Sequence, residues 1–256
     1  MSKDNLISGD FLELLQLRGH APMKVDASFL PTQTQATTVF AFHCQDGVLM
    51  AGDRRATAGN LIVTDVVEKV IELDAESILA IAGVPATAFE MARVLQTSFE
   101  YYRRSQLQKL SLPGKVRALA RLLRENLPLT VQGVGIVVPL FAGLDHSVLP
   151  AAPRIYFYDP LGAQFLAVGF AASGSGSGTI RSLLSYTERF GSPRPAGMDL
   201  KHAIQFALRC LMVASEFDSA TGGVNPQNGD FATLKLLTSG GITEITPEQQ
   251  SEALAP

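Results

Sequence analysis

Apolar residues along this chain follow the two-residue period of strands and the three- to four-residue period of helices in separate blocks. The first block opens with "TTVFAFHC" (37–44), which is rich in β-branched and aromatic residues. Asp46-Gly47 is a strong hairpin signal, and "VLMAGD" (48–53) continues as the second strand. The other predicted strands are "VEKVIEL" (67–73), "SILAIAG" (77–83), "VGIVVPLFAG" (134–143), "RIYFYDP" (154–160), "AQFLAVG" (163–169) and "FATLKLLT" (231–238).

Helices are predicted in two pairs between these strands. The first pair comprises residues 85–107 and a helix that opens at Pro113, with an apolar side that runs to Leu127. The second pair begins at Thr179 and at Asp199. Such blocks of strands and helices argue against a doubly wound parallel sheet. We predict an α+β fold of four layers, an αββα sandwich in which two antiparallel sheets pack face to face with a helix pair outside each.

The composition of the chain indicates in which cellular compartment it works and which classes of partner it lacks. Its 256 residues suit one sizeable domain, and a net charge of −3 gives no general attraction to nucleic acid. Cys44 and Cys210 lie in apolar runs, so we expect buried, reduced thiols and a cytoplasmic protein. No secretory signal and no apolar run of about eighteen residues is visible, so no membrane association is expected. Basic residues collect in one stretch, where solvated helix faces are expected: Arg103, Arg104, Lys109, Lys115, Arg117, Arg121 and Arg124.

Common catalytic motifs are missing from the sequence. There is no phosphate-binding loop, no H-E-x-x-H and no G-x-S-x-G, and the four histidines have no ligand spacing. We therefore expect no metal and no cofactor. The stretch "SGSGSG" (173–178) lies between a strand and a helix, where glycines commonly allow close approach of the backbone.

A few polar residues interrupt the apolar strands. Lys69 lies inside "VVEKVIEL" and must be paired if it is buried, and Asp53, at the end of a predicted strand, is the natural partner. Near the C-terminus, "DSATGG" places Asp218 and Thr221 directly after a long helix. Chemistry alone leaves two interpretations of Asp53 and Lys69 open, a structural ion pair or a functional one.

Residues 1–36 differ from the rest of the chain and end directly before two threonines. A short helix is predicted from Asp10, and an aperiodic polar segment follows it. Composition is compatible with a disordered tail, a docking arm or a removable pro-segment. A threonine hydroxyl becomes a good nucleophile beside a base, and an N-terminal amine can be that base. Removal of residues 1–36 would give Thr37 such an amine.

"TTVFAFHCQDGVLMAGDRRATAGN" resembles the opening of mature proteasome β subunits, especially those of actinobacterial type. The likeness continues through "EKVIELDAESILAIAGVPATAFEMARVL", the Gly-Ser-Gly turn and "DSATGG", and it covers residues 37–240. It implies the N-terminal nucleophile hydrolase fold and a threonine endopeptidase. Residues 1–36 would then be a propeptide removed by autolysis between Ala36 and Thr37, and residues 37–256 the catalytic domain. Relatives commonly have glycine at the Ala36 position, so we expect slower processing without a block.

The resemblance also implies roles for particular residues. Thr37 would be the nucleophile, and Lys69, held by Asp53, would favour the neutral form of its amine. The backbone N–H of Gly83 would stabilise the oxyanion. Ser175 and Asp218 would position the amine, with Thr221 beside them where many relatives have serine.

Substrate is expected to bind as an added strand near Thr57 and Gly83. The family's side-chain pocket maps to apolar residues, which predicts cleavage after hydrophobic residues, with Phe89 favouring small or medium side chains. Without the resemblance these six residues would be interpreted as core: Ala56, Val67, Ile71, Ile81, Pro85 and Phe89.

The partners implied by the resemblance are other β subunits in stacked rings, α-subunit rings, an ATP-dependent unfoldase and unfolded polypeptides. Three alternatives remain: a bacterial homologue that assembles without α subunits, a non-catalytic ring subunit, and an amidohydrolase for small molecules.

Overall fold

Strands and helices alternate in blocks in the computed structural model, which describes residues 34–35, 37–59 and 61–255. These residues lie in one compact unit of the chain, Thr32–Pro256. The strands are β1 (Thr34–Gln35), β2 (Thr38–Cys44), β3 (Gly47–Gly52), β4 (Ala56–Ala58), β5 (Leu61–Thr64), β6 (Val70–Asp74), β7 (Ser77–Ala80), β8 (Leu140–Asp145), β9 (Ala152–Tyr158), β10 (Gln164–Ala167), β11 (Phe170–Gly174), β12 (Thr233–Thr238) and β13 (Gly241–Glu244). The helices are α1 (Pro85–Gln106), α2 (Leu112–Glu125), α3 (Leu127–Val131), α4 (Ser177–Phe190), α5 (Leu200–Phe217) and α6 (Pro247–Leu254), with short 3₁₀ turns at Pro195–Gly197 and Pro226–Asn228.

The strands form two five-stranded sheets and one small sheet, and the neighbouring strands are antiparallel throughout. Sheet one has the order β11-β2-β3-β12-β13, and sheet two has the order β10-β9-β8-β7-β6. The small sheet has the order β1-β4-β5. In sheet one, β2 and β3 are joined by the predicted hairpin, with Cys44 opposite Gly47.

Alternation of side chains along each strand builds four layers. On β2, Phe40 and Phe42 pack into a core with residues of α4, α5 and α6. Val39 and Ala41 point the other way, into a core shared with sheet two. On the far side of sheet two, Phe141 joins a third core with residues of α1 and α2. The predicted αββα sandwich is confirmed.

Several predicted boundaries are wrong, and two of them have a proline as their cause. The segment 134–143 is a strand only from Leu140, because Pro139 has no N–H to continue a ladder. The helix predicted to run to Leu127 ends at Glu125, because Pro128 cannot donate a hydrogen bond back to the preceding turn. Leu127 instead begins the short helix α3 and is exposed.

The prediction that the chain closes with one strand is also wrong. Strand β13 and helix α6 follow it, and the N-terminus of α6 is a capping box in which Thr246 and Gln249 bond reciprocally. Strands β1, β4, β5 and β11 are also absent from the prediction. The helix predicted from Asp10 lies outside the described residues.

One lysine of the basic stretch departs from its expected exposure. Lys115 is buried, and its Nζ lies 2.6 Å from a carboxylate oxygen of Asp74. The arginines Arg103, Arg104 and Arg121 are exposed, as predicted. Cys44 and Cys210 are buried and free, as predicted, and burial raises the pKa of the Cys210 thiol to about 12. Among the described residues, no helix combines the length and apolarity needed to cross a membrane.

Candidate active site

A cavity of about 770 Å³ adjoins the start of β2. Four of the residues that the sequence singles out line it: Thr37, Thr57, Gly83 and Ser175. Thr37 directly precedes β2 and is only 4% exposed. The sandwich therefore places the predicted nucleophile at the wall of this cavity.

The peptide group between Thr37 and Thr38 is fixed by two hydrogen bonds. Its carbonyl oxygen accepts from the N–H of Ser175 at 3.0 Å. Its N–H donates to Oδ1 of Asp53 at 2.8 Å. Because the two bonds leave the peptide in opposite directions, they set the orientation of its plane and hold Thr37 in place.

Asp53, at the end of β3, is a buried carboxylate with four hydrogen-bond donors. Oδ1 accepts from Lys69 as well as from Thr38, while Oδ2 accepts from the N–H groups of Arg55 at 3.0 Å and Gly222 at 2.8 Å. Asp53 therefore links β2, β4 and the loop after α5 at one point.

Lys69 forms the predicted ion pair with Asp53. Its Nζ lies 2.6 Å from Oδ1 of Asp53 and also donates to the carbonyl oxygen of Arg55 at 2.5 Å. The side chain is 2% exposed. Burial lowers the pKa of the Lys69 ammonium from its ordinary value, and the Asp53 charge opposes that shift.

A second acidic group, Asp218, lies at the C-terminal end of α5. Its Oδ2 accepts hydrogen bonds from the hydroxyls of Ser175 and Thr221, each at 2.6 Å. Its Oδ1 accepts from the N–H of Ala220 at 3.1 Å. The sequence-predicted set of Ser175, Asp218 and Thr221 is thus hydrogen-bonded together, beside the loop that holds the Thr37 carbonyl.

Thr38 is a part of this site that the sequence analysis missed. Its hydroxyl accepts from the N–H of Gly176 at 3.0 Å and lies 2.5 Å from the hydroxyl of Thr221. Through its N–H it also contacts Asp53. Thr38 therefore connects the Asp53 and Asp218 clusters. The sequence signal for this role was the pair of adjacent threonines, Thr37 and Thr38. It was not decisive, because a threonine is also common at the start of a strand.

Replacing Thr38 with valine is expected to lower the thermal unfolding temperature by about 4–8 °C, because about 2 kcal/mol is lost when the Gly176 N–H is left unsatisfied. Thr38→Ser keeps the hydroxyl and is the matched control, so it should retain most of that stability. The measurement is thermal unfolding of both purified variants. Equal unfolding temperatures for the valine and serine variants would contradict the assigned role of this hydroxyl.

Two glycines allow close approach of the backbone at the cavity wall. Gly174 has a φ of +95°, and a Cβ there would overlap the carbonyl oxygen of Thr37. This confirms the expectation that glycines in "SGSGSG" serve close backbone approach. Gly83 has a φ of +116°, and its Cβ would overlap the carbonyl oxygen of Ile136.

The backbone around Gly83 determines where its N–H points. Gly83 and Val137 form an isolated antiparallel bridge. The hydrogen bonds on either side of it run from Val84 to Ile136 and from Val138 to Ala82, each 2.8 Å long. The bridge is therefore a non-hydrogen-bonded pair, and the N–H of Gly83 points away from Val137. Since Gly83 also lines the cavity, its N–H is suited to face a substrate carbonyl.

The six apolar residues of the predicted side-chain pocket do not line this cavity. Ala56 and Ile81 are buried, and Ile81 belongs to the core between sheet two and helices α1 and α2. Ile71 and Phe89 pack against that same core, and Val67 and Pro85 are half-buried. The packing of these residues matches the core interpretation, and their role in specificity stays a prediction.

Strand β1 places the end of the leader beside β4. The backbones of Thr34 and Gln35 pair antiparallel with Ala58 and Thr57. This is the edge where the sequence analysis expects a substrate strand. Ala36, the predicted cleavage position, and most of residues 1–36 lie outside the described residues.

Comparison with known proteins agrees with this geometry. The family model described as "Proteasome subunit" matches residues 33–225. The chain belongs to the proteasome subunit family. Its similarity is to β-type subunits: it is 36% identical to the proteasome subunit beta of Acidimicrobium ferrooxidans over 231 residues, which cover 90% of this chain and 81% of that protein.

Two further proteasome β subunits are similarly related. The proteasome subunit beta of Stackebrandtia nassauensis is 38% identical over 86% of this chain and 76% of that protein. The proteasome subunit beta 2 of Thermomonospora curvata is 38% identical over 86% of this chain and 75% of that protein. The chain is thus a proteasome β-type subunit of actinobacterial kind, and proteolysis within rings of proteasome subunits is the function of that family.

Among the residues that the structure describes, no group of three or more histidine, cysteine, aspartate or glutamate side chains could hold a metal ion. The charged groups of the site are engaged with each other and with backbone atoms. The cavity presents hydroxyls, backbone N–H groups and the Arg181 guanidinium, and the Asp53–Lys69 pair is bonded to the Thr37–Thr38 peptide at its wall.

Proposed function

We propose that this subunit is a threonine-type endopeptidase whose nucleophile is Thr37. The observation that carries the proposal is the fixation of the Thr37–Thr38 peptide by Ser175 and Asp53, with Lys69 bonded to the same carboxylate oxygen as Thr38. This arrangement holds a nearly buried threonine at a cavity wall. It also places a buried cation on the carboxylate that binds the N–H of the next residue, Thr38.

The nucleophile would be completed by cleavage of the Ala36–Thr37 bond. The Thr37 hydroxyl attacks the carbonyl carbon of Ala36, the C–N bond breaks, and the acyl group moves to Oγ as an ester. The departing nitrogen takes the Oγ proton and becomes the free α-amine of Thr37. Water then hydrolyses the ester, which releases the leader as an acid and regenerates the Thr37 hydroxyl. Pairing of β1 with β4 supports this step, because it directs the leader along one edge of the site up to the bond to be cut.

Peptide hydrolysis would follow the same chemistry in two steps. The free α-amine accepts the proton of Thr37 Oγ as the oxygen attacks the peptide carbonyl, and the N–H of Gly83 stabilises the oxyanion. The departing amine takes that proton, leaving an ester on Thr37. Water, deprotonated by the same α-amine, then releases the second product and regenerates Oγ–H.

Each cluster has a separate role in this mechanism. The Lys69 cation disfavours a second positive charge nearby and so lowers the pKa of the Thr37 ammonium, which keeps the base neutral. Asp53 holds Lys69 and the N–H of Thr38. Ser175, Asp218 and Thr221 position the amine through their shared hydrogen bonds.

Substrate would bind as an added strand against β4, where the leader strand lies. Thr57 and Gly83 line the cavity and offer backbone groups to such a strand. The apolar set that includes Ile81 and Phe89 would favour cleavage after hydrophobic residues.

The assembly would be a stack of β rings enclosing the cavities, with α-subunit rings and an ATP-dependent unfoldase that delivers unfolded polypeptides. A β-type homologue working without α subunits is the nearest alternative. Copurification of the native complex and a count of its subunit types separates the two. Retention of Thr37, Asp53 and Lys69 disfavours a purely structural ring subunit.

Adduct mapping tests the proposed nucleophile. We expect a peptide that ends in leucine and a C-terminal electrophile to inactivate the purified protein by modifying Thr37 as a new N-terminal residue. The measurement is digestion and tandem mass spectrometry, with residual hydrolysis of a leucine peptide as the activity readout. An adduct at another residue with full inactivation contradicts the assignment. Hydrolysis of small amides but not of peptides would favour the amidohydrolase.

A further inference from the structure

The cavity carries a charge that the proposed mechanism does not use. Among the described residues that line it, only Arg181 has a charged side chain. The neighbouring lining residues on the same wall are small and neutral, namely Ser173, Ser175 and Ser177. Because no acidic side chain is among these lining residues, the attraction of this cation for an anionic group of a bound ligand is not offset at the wall.

Arg181 is held at this wall by the edge of sheet one. It lies one turn into α4, and its guanidinium donates to the carbonyl oxygen of Ala172 at 2.8 Å. Ala172 is on β11, the edge strand of the sheet, so the bond uses the side of the strand opposite β2. A guanidinium has five N–H donors, and this bond uses one of them. The anchor fixes the group near the cavity while leaving donors for a ligand.

The carboxylate that is bonded to Ser175 of this wall is already engaged. Asp218 accepts from Ser175, Thr221 and Ala220, and it is not among the lining residues of the cavity. No ion pair of Arg181 is found among the described residues, whereas Arg55 of the same site is paired with Asp65 at 2.8 Å. The positive charge of Arg181 is therefore not neutralised by an acid of this chain's described part.

The position of the leader strand indicates which part of a bound substrate lies near Arg181. Thr34 and Gln35 run along β4, so the chain on the amino side of the Ala36–Thr37 bond occupies the edge near Thr57. A substrate that binds in the same direction places its amino-side residues there. Its residues on the carboxyl side of the cleaved bond then continue past Thr37 along the rest of the cavity lining, which includes Arg181.

We propose that Arg181 makes this subunit prefer substrates with an acidic side chain one or two residues after the cleaved bond. The proposal rests on the proposed function of Thr37 and adds a specificity-determining residue to it. A glutamate or aspartate there pairs with the guanidinium, and a lysine is repelled. Because Arg181 is exposed on one side, we expect about a five-fold preference for Glu over Gln, in keeping with partly solvated ion pairs.

Internally quenched peptides test the proposal in the full-length assembled protein. They share the residues before the cleaved bond and carry Glu, Gln or Lys at the first and second positions after it. The readout is the ratio of kcat/KM for the Glu and Gln peptides, because a ratio cancels any general loss of activity in a variant. Wild type should give a ratio of about five that falls as salt rises.

Three variants at two arginines of the same helix complete the test. Arg181→Gln should bring the ratio close to one, and Arg181→Lys should restore part of it. Arg189→Gln, which removes an equal charge from the last turn of α4, should keep the wild-type ratio. A wild-type ratio near one, or a ratio unchanged in Arg181→Gln, overturns the proposal while leaving the nucleophile assignment intact. If the Gln peptide is not hydrolysed at all, the proposed function fails and this proposal fails with it.

Discussion

Replacing Thr37 with alanine is expected to lower kcat/KM for peptide hydrolysis by about 10⁴-fold or more, because it removes the attacking oxygen. The fold should survive the change. Thr37 is held through its carbonyl and the next N–H, which are backbone groups that alanine also supplies. The measurement is hydrolysis of a fluorogenic peptide ending in leucine, together with thermal unfolding to verify the fold.

The matched control for this prediction is Thr37→Ser. Serine keeps a hydroxyl at the same position, so it should retain measurable hydrolysis well above that of the alanine variant. Activity of Thr37→Ala equal to wild type would remove Thr37 from the mechanism. Equal inactivity of the alanine and serine variants would indicate that the threonine side chain is needed for packing rather than for attack.

Replacing Lys69 with methionine is expected to lower kcat by about 10³-fold while the subunit still folds. Asp53 would keep three backbone hydrogen-bond donors, from Thr38, Arg55 and Gly222, so the buried carboxylate would still have hydrogen-bond partners. Loss of a buried pair still costs about 3 kcal/mol. The expected catalytic loss comes from the Thr37 ammonium, whose pKa rises when the neighbouring cation is removed.

Lys115→Met, in helix α2, is the control for the loss of stability that removing a buried lysine causes. Lys115 is also a buried lysine, and its Nζ lies 2.6 Å from Asp74, the same separation as in the Lys69–Asp53 pair. Both variants should show a similar fall in unfolding temperature, but only Lys69→Met should lose peptidase activity. Full activity in Lys69→Met would contradict its role. An equal loss in Lys115→Met would show that destabilisation alone explains the effect.

The order of apolar blocks was sufficient to predict the sandwich. Strand and helix periods are local features. An apolar sheet needs a partner layer on both faces and an amphipathic helix pair needs one on a single face, which leaves few arrangements for two strand blocks and two helix pairs. The pairing of Asp53 and Lys69 was also predictable, since a lysine in an apolar strand must find an anion. Short elements such as β4, β5 and β13 were missed because three or four residues show too little periodicity to stand out.

Contacts between residues distant in the chain could not be predicted from pattern. The hydroxyl of Thr38 meets Thr221 across 183 positions of sequence, and only the folded sandwich brings them together. Lys115 was expected in solvent because its neighbours in sequence are basic, yet Asp74 of sheet two holds it in the core. Arg181 was not singled out at all, because its significance depends on a cavity that β11 and α4 form jointly.

The N-terminus of the purified assembly tests the central claim most directly. Intact mass and N-terminal sequencing are measured for wild type and for Thr37→Ala, prepared in the same way. The account predicts that wild type begins at Thr37, with residues 1–36 removed, and that Thr37→Ala retains its leader. Wild type that keeps residues 1–36 in every assembled and active preparation would contradict it, because Thr37 would then have no free α-amine to act as the base.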